Sequence, residues 1–138
     1  MSRRHSRSER LLIWAAATDS TFQWWPSDER YNEALIGKCI HCRCTLTVEL
    51  IGKRRQIATV EHIVPKHHGG TDELTNLAVA CAKCNNGKGV RLDHRRADDP
   101  TLQKVIATLQ ERRRERWREP EEGWTLPPRP DFVKEDSE

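Results

Sequence analysis

The chain has 138 residues, 36% of them hydrophobic and 33% charged, with a formal net charge of +3 and only one Met and one Tyr. That length fits one compact domain with short extensions, and so polar a composition leaves a small domain short of core and in need of a metal or disulfide staple. The longest apolar run, Leu11–Ala17, excludes a membrane span, and the Arg-rich start lacks the apolar stretch and cleavage site of a secretory signal.

Ser6-Arg7-Ser8-Glu9 has capping-box spacing ahead of Leu11, Leu12, Trp14 and Ala15, which predicts a helix over 8–17. Trp24-Trp25-Pro26 breaks that pattern. Ser27, followed by Asp28 and Glu29, is a cap for a second helix that Gly37 would end. Thr45–Ile51 reads as a strand, Gly52-Lys53-Arg54-Arg55 as a turn, and Gln56–Val64 as the strand that returns to pair with it. Pro65 to Asn76 is a loop, Leu77–Ala80 is short and extended, and a helix starting near Cys81 carries Cys84 and Asn85. Asp99-Pro100 caps a last helix, on which Leu102, Val105, Ile106 and Leu109 form one buried stripe until Pro120 stops it. The Pro-rich tail beyond is expected to be disordered or loosely packed.

Charge is unevenly distributed. Seven acidic residues against Arg129 and Lys134 leave residues 119–138 at −5, so residues 1–118 carry +8. A positive body of that size suits a phosphate-backbone partner. The chain is expected to be intracellular, where thiols stay reduced and five cysteines point to metal before disulfides.

Cys39-x2-Cys42 and Cys81-x2-Cys84 are two knuckles separated by 38 residues. Each x2 spacing lets two sulfurs of one turn reach the same ion, and four thiolates complete a closed, structural zinc tetrahedron. Two unrelated pairs of buried thiols are the alternative. Cys44 can replace Cys42 but lacks the x2 spacing and is expected to stay a free thiol; His41 reads as a spacer within its knuckle.

Between and beyond the knuckles come Glu61-His62-Ile63-Val64-Pro65, then Gly69-Gly70, Asn76-Leu77 and Cys84-Asn85-Asn86-Gly87-Lys88. In this order they resemble the zinc-bearing HNH endonucleases of the ββα-metal fold. Those proteins carry a first CxxC, an acidic-His pair followed by x-x-Pro, a Gly-Gly loop, Asn-Leu, and CxxCN with a Lys-Gly-type ending. The resemblance spans about residues 38–90, with two variations: Glu61 stands where Asp is common, and Asn85 where other members have His.

The resemblance implies an α+β fold, a ββα-metal core with a four-cysteine zinc site flanked by N- and C-terminal helices. It divides the chain into a basic helical extension (1–37), a nuclease core (38–95), a basic helix (96–118) and an acidic tail (119–138). It also implies DNA hydrolysis to 5′-phosphate and 3′-hydroxyl ends. Phosphodiester hydrolysis needs an activated water, charge neutralisation on the phosphate and a stabilised leaving oxygen. His62 is the candidate general base, since a neutral imidazole accepts a proton at neutral pH. By resemblance, Glu61 and Asn85 hold one Mg²⁺ or Mn²⁺, which suits oxygen donors, and Asn76 organises the loop that orients the base. Neighbouring strand residues point to opposite faces, so a site shared by Glu61 and His62 requires the strand to end or bulge there.

Lys66, Lys88 and Arg91 are candidate phosphate contacts, and His67 and His68 are read as surface histidines that can touch phosphate or metal. Three further basic clusters, Arg3-Arg4 with Arg7, Lys53-Arg54-Arg55 and Arg112–Arg118, are either phosphate contacts or solvated faces. A catalytically silent zinc module that docks DNA or protein is the rival reading, as is a subunit with a protein partner or a homodimer.

Overall fold

The computed structural model describes residues 5–29, 32–50 and 58–130. Helix α1 (Arg7–Ala17) begins at the predicted capping box: Ser6 Oγ accepts from Glu9 N at 3.1 Å, and Glu9 Oε1 accepts from Ser6 N at 2.7 Å. It buries Leu11, Ile13 and the run Ala15-Ala16-Ala17, small side chains that admit close backbone approach.

The second predicted helix does not form. The chain instead builds a three-stranded antiparallel sheet of β1 (Gln23–Trp25), β2 (Ala34–Lys38) and β3 (Thr45–Glu49), with β2 in the centre. Capping signals at Ser27 are local, and tertiary burial overrides them. Leu35, opposite Val48, is fully buried, and Phe22 lies so close to Gly37 that a Cβ there would be 2.4 Å from its ring. Gly37 is therefore a packing residue inside a strand and not a helix terminator.

The predicted pairing of the next two strands is also replaced. β3 pairs with β2, whereas β4 (Ala58–His62) pairs antiparallel with β5 (Leu77–Cys81). All five residues of β5 are buried, because α1 packs on this strand and so does α2 (Ala82–Lys88). A short apolar strand covered by helices must satisfy its backbone with a neighbouring strand, and β4 is that neighbour. The predicted turn at Gly52–Arg55, with Arg54 and Arg55, lies outside the described residues. The order β4, β5, α2 is the ββα core, and a π-helical turn, Gly89–Asp93, continues α2.

Helix α3 (Pro100–Arg116) starts as predicted, with Asp99 Oδ1 accepting from Thr101 N at 2.9 Å and Leu102 N at 3.1 Å. Leu102, Ile106 and Leu109 are buried in a core shared with α1 and the strands. Its arginine cluster is largely internal. Arg113 is 2% exposed; it donates to Thr18 O at 2.9 Å, Thr18 Oγ1 at 2.7 Å and Leu74 O at 3.1 Å. Arg112 donates to Ile40 O at 2.7 Å, and Arg116 to Lys38 O at 3.1 Å and Cys39 O at 3.4 Å. These guanidiniums cap backbone carbonyls of the first knuckle and its approach, so of this cluster only exposed members such as Arg114 are left facing solvent. Burial pushes Arg113 down to about 10, opposed by the charge of Asp19, so it remains a cation at neutral pH.

The described part of the tail is packed, contrary to expectation. Trp14 Nε1 donates to Pro127 O at 2.9 Å, and the guanidiniums of Arg118 and Arg129 lie over Trp124 and Trp14 at 4.5 and 5.3 Å. Tryptophan faces offer arginine a cation–π platform that an acidic, Pro-rich composition does not advertise. Among the described residues no helix is long and apolar enough to cross a membrane.

Arg113→Ala removes three buried hydrogen bonds, although Thr18 O keeps the Arg118 amide and Leu74 O that of Leu77, so it should cost about 1–3 kcal/mol in urea unfolding, against about 0.5 kcal/mol or less for exposed Arg114→Ala. Equal small losses would contradict the clamp role.

Candidate active site and metal centre

The two knuckles meet at the C-terminal end of β5. Ile40 N donates to Val79 O at 2.9 Å, and Cys81 N lies 3.4 Å from Cys39 Sγ. Arg43 turns the first knuckle with φ 66, which brings Cys44 O to 2.9 Å from Cys39 N. The sulfurs of Cys39, Cys42, Cys44 and Cys81 lie within 4.8 Å of one another, with Cys42 Sγ and Cys81 Sγ 4.0 Å apart. The edge of a zinc–thiolate tetrahedron with 2.3 Å bonds is about 3.8 Å, so the cluster is compatible with zinc. Cys84 adjoins it, its N–H 3.4 Å from Cys81 Sγ, but its own sulfur is not among the four that lie within 4.8 Å of one another. Cys44, expected to stand apart, is thus inside the tightest group, and five thiols share one place.

Their ionisation reflects that crowding. The Cys44 backbone amide draws the Cys42 thiol down to about 6. Cys44 is pushed up to about 12, chiefly by its hydrogen bond with Cys42, and Cys84 to about 12, chiefly by burial. Neighbouring thiols resist ionising together, a repulsion that a shared cation relieves.

The β4–β5 register is regular through Glu61↔Ala78 and His62↔Leu77, and β4 ends at His62. Glu61 is 1% exposed. Its Oε1 is hydrogen-bonded with His41 Nε2, and Lys88 Nζ stands 3.3 Å from Oε2. Oε2 is buried and has no hydrogen-bond partner, because that approach of Lys88 lacks hydrogen-bond geometry. His41 is thus a contact of the acidic residue and not a spacer, a pairing across 20 residues that no local pattern signals. Lys88, a candidate phosphate contact, is 3% exposed and donates to Asp93 Oδ1 at 2.8 Å and His62 O at 3.4 Å. Its ammonium faces carboxylates, away from solvent.

His62 is half-buried at the end of β4, its Nε2 2.8 Å from Asp72 Oδ1. Asp72 also meets Arg7 Nη2 at 3.3 Å and Lys66 Nζ at 3.8 Å. The His62 hydrogen bond, followed by those from Arg7 and the charge of Lys66, holds its carboxyl below the usual range against a smaller effect of burial. Sequence reasoning passed over Asp72, although it sits two residues after the Gly69-Gly70 pair.

Asn76 ties the intervening loop together. Its Oδ1 accepts from Val64 N at 2.9 Å, while Nδ2 donates to Val64 O at 3.1 Å and Thr71 O at 2.9 Å. Gly69 takes φ +92, and a Cβ on Gly70 would fall 1.7 Å from Val64 O, so the loop closes only with glycine at both positions. On α2, Asn85 Nδ2 donates to Thr59 Oγ1 and Val60 O, each at 3.0 Å. This uses the amide nitrogen and leaves Oδ1 as the ligand-capable atom, on the same helix that carries Lys88 to Glu61.

His67 and His68 are turned toward the π-helical turn, their Nε2 atoms 2.7 and 3.1 Å from Asp93 O. Lys66 and Arg91 are exposed, and Arg91 Nε lies 3.3 Å from Gly87 O.

Asn76→Ala leaves the Val64 amide and two carbonyls unpaired. It should destabilise the fold by about 1–3 kcal/mol, with hydrogen exchange at Val64 accelerated ahead of the β4–β5 amides. Unchanged protection at Val64 would contradict the role of this side chain as the loop's tie.

No curated protein and no solved structure matches the chain. Residues 39–91 match the family model described as HNH endonuclease. That segment begins at the first cysteine, contains the cysteine cluster, the β4–β5 hairpin and α2, and ends within the π-helical turn. The chain therefore carries an HNH endonuclease domain across residues 39–91.

Proposed function

We propose that the protein is a metal-dependent endonuclease that hydrolyses DNA phosphodiester bonds with His62 as general base. The observation that carries this reading is the pairing, inside the HNH segment, of a half-exposed imidazole with an adjacent buried carboxylate whose Oε2 has no hydrogen bond. Lys88 Nζ meets that oxygen at 3.3 Å without hydrogen-bond geometry, so the buried carboxylate is incompletely satisfied and a bound cation would complete it. Glu61 Oε2 and Asn85 Oδ1 are hard oxygen donors that suit Mg²⁺ or Mn²⁺. When bound, such a cation supplies charge neutralisation on the phosphate and on the leaving oxygen.

The remaining work falls to the chain's own groups. His62 takes a proton from the attacking water, whose oxygen bonds to phosphorus as the P–O3′ bond breaks. The departing 3′ oxygen gains a proton from solvent, which gives 5′-phosphate and 3′-hydroxyl ends. Asn76 keeps the loop closed beside the base, and exposed Lys66 and Arg91 contact backbone phosphates without reading sequence. Arg54 and Arg55 belong to the same phosphate-contacting set.

Cys39, Cys42, Cys81 and Cys84 hold a structural zinc, which adds folding free energy that so small an apolar content lacks. Cys44 lies within reach of the same ion. The chain acts on DNA as a single nuclease core with flanking helices.

Three measurements test this reading. His62→Ala should remain folded and zinc-loaded, and cleave DNA on the order of 10²–10⁴ times more slowly; cleavage at the parental rate would contradict the assignment of the base. Elemental analysis should find about one zinc per chain, and Cys81→Ser should unfold the core. A folded, zinc-free protein would contradict the metal centre.

A further inference from the structure

We propose that Asp72 is the positioning residue that determines which nitrogen of His62 acts as the base, holding the proton on Nε2 and leaving the lone pair on Nδ1. The inference rests on the hydrolytic reading above and deepens it. An imidazole general base works only if the nitrogen that faces water is the unprotonated one, and the hydrogen bond at the other nitrogen decides this. In this site the other nitrogen is Nε2, 2.8 Å from Asp72 Oδ1.

An ionised carboxylate can only accept hydrogen bonds. Nε2 must therefore be the donor, and in the neutral ring the lone pair then lies on Nδ1. Asp72 is kept ionised by its surroundings: Arg7 of α1 meets Oδ2 at 3.3 Å, and Lys66 approaches Oδ1 at 3.8 Å. The carboxylate is also held in place, since the carbonyl of its neighbour Thr71 accepts from Asn76 Nδ2 at 2.9 Å.

The other charged groups nearby do not compete for the ring. Glu61 is engaged by His41 and Lys88, and Lys88 meets His62 at its backbone carbonyl. Asp72 touches His62 and cations but no reacting atom, so it acts through His62. It also explains why Arg7, from a basic cluster read as a phosphate contact, reaches across to this loop: its guanidinium aims the carboxylate.

Asp72→Asn separates this role from mere charge. Arg7 claims the single amide oxygen, the amide NH₂ turns toward Nε2, and the imidazole proton moves to Nδ1, the wrong tautomer for the proposed reaction. The test uses the full zinc-loaded chain with plasmid DNA and Mg²⁺ or Mn²⁺, comparing the parent with Asp72→Asn, Asp72→Glu, His62→Ala and the double variant. Asp72→Asn should lower kcat by about 10²-fold or more with KM and zinc content unchanged, and Asp72→Glu should recover part of the loss. Long-range ¹H–¹⁵N spectra should find the His62 proton on Nε2 in the parent and on Nδ1 in Asp72→Asn. The double variant should be no slower than His62→Ala, because one residue works through the other.

Parental activity in Asp72→Asn, with His62→Ala inactive, would overturn the role of Asp72 and leave the hydrolytic reading standing. Additive losses in the double variant, or a parent tautomer with its proton on Nδ1, would also overturn it. Parental activity in His62→Ala would instead refute the hydrolytic reading itself.

Discussion

The docking of the first knuckle onto the end of β5 is the constraint on which the rest of the structure depends. Two contacts fasten it, from Ile40 N to Val79 O and from Cys81 N to Cys39 Sγ, and both join chain segments about 40 residues apart. Once residues 39–44 lie there, the thiols converge, β5 acquires a fixed end, and His41 is delivered to the Glu61 carboxylate. The guanidiniums of Arg112 and Arg116 close the same knuckle from outside by capping carbonyls of Lys38, Cys39 and Ile40. Crowding several thiolates is unfavourable without a cation, so a zinc ion bound there would favour closure of the core.

Much of the chain's basic character serves this interior. Arg113 and Arg116 are buried, Lys88 lies between Glu61 and Asp93, and Arg7 holds Asp72. A formal charge count treats all of these as available to a polyanion. The geometry leaves Lys66, Arg91 and the other exposed cations for that purpose. The tail adds to the same pattern, since Arg118 and Arg129 stack on tryptophan faces.

Where short-range chemistry decides the outcome, the sequence was legible. The Ser6–Glu9 capping box, the Asp99-Pro100 start and the stripe of α3, with Val105 only partly buried, appear because each depends on neighbours within one or two turns. The HNH segment was legible for a different reason: its chemistry needs particular residue types in a set order, and the family match covers that stretch. Pairing partners were not legible. Ser27 looks like a helix cap, yet Leu35, Gly37 and Phe22 are recruited by a sheet, and β4 takes β5 in preference to β3 because only β5 is buried along its whole length. The contacts of His41, Lys88 and Asp72 were missed for the same reason, as each spans segments that only the folded chain brings together.

The central claim is that the zinc-bearing core cleaves DNA by metal-assisted hydrolysis. Its most direct test is incubation of the purified, zinc-loaded chain with supercoiled plasmid. The account predicts nicked or linear DNA when Mg²⁺ or Mn²⁺ is present, none after the divalent ion is chelated, and ends that a ligase can rejoin because they carry 5′-phosphate and 3′-hydroxyl groups. Intact plasmid under every metal condition, from a protein that is folded and holds its zinc, would contradict it.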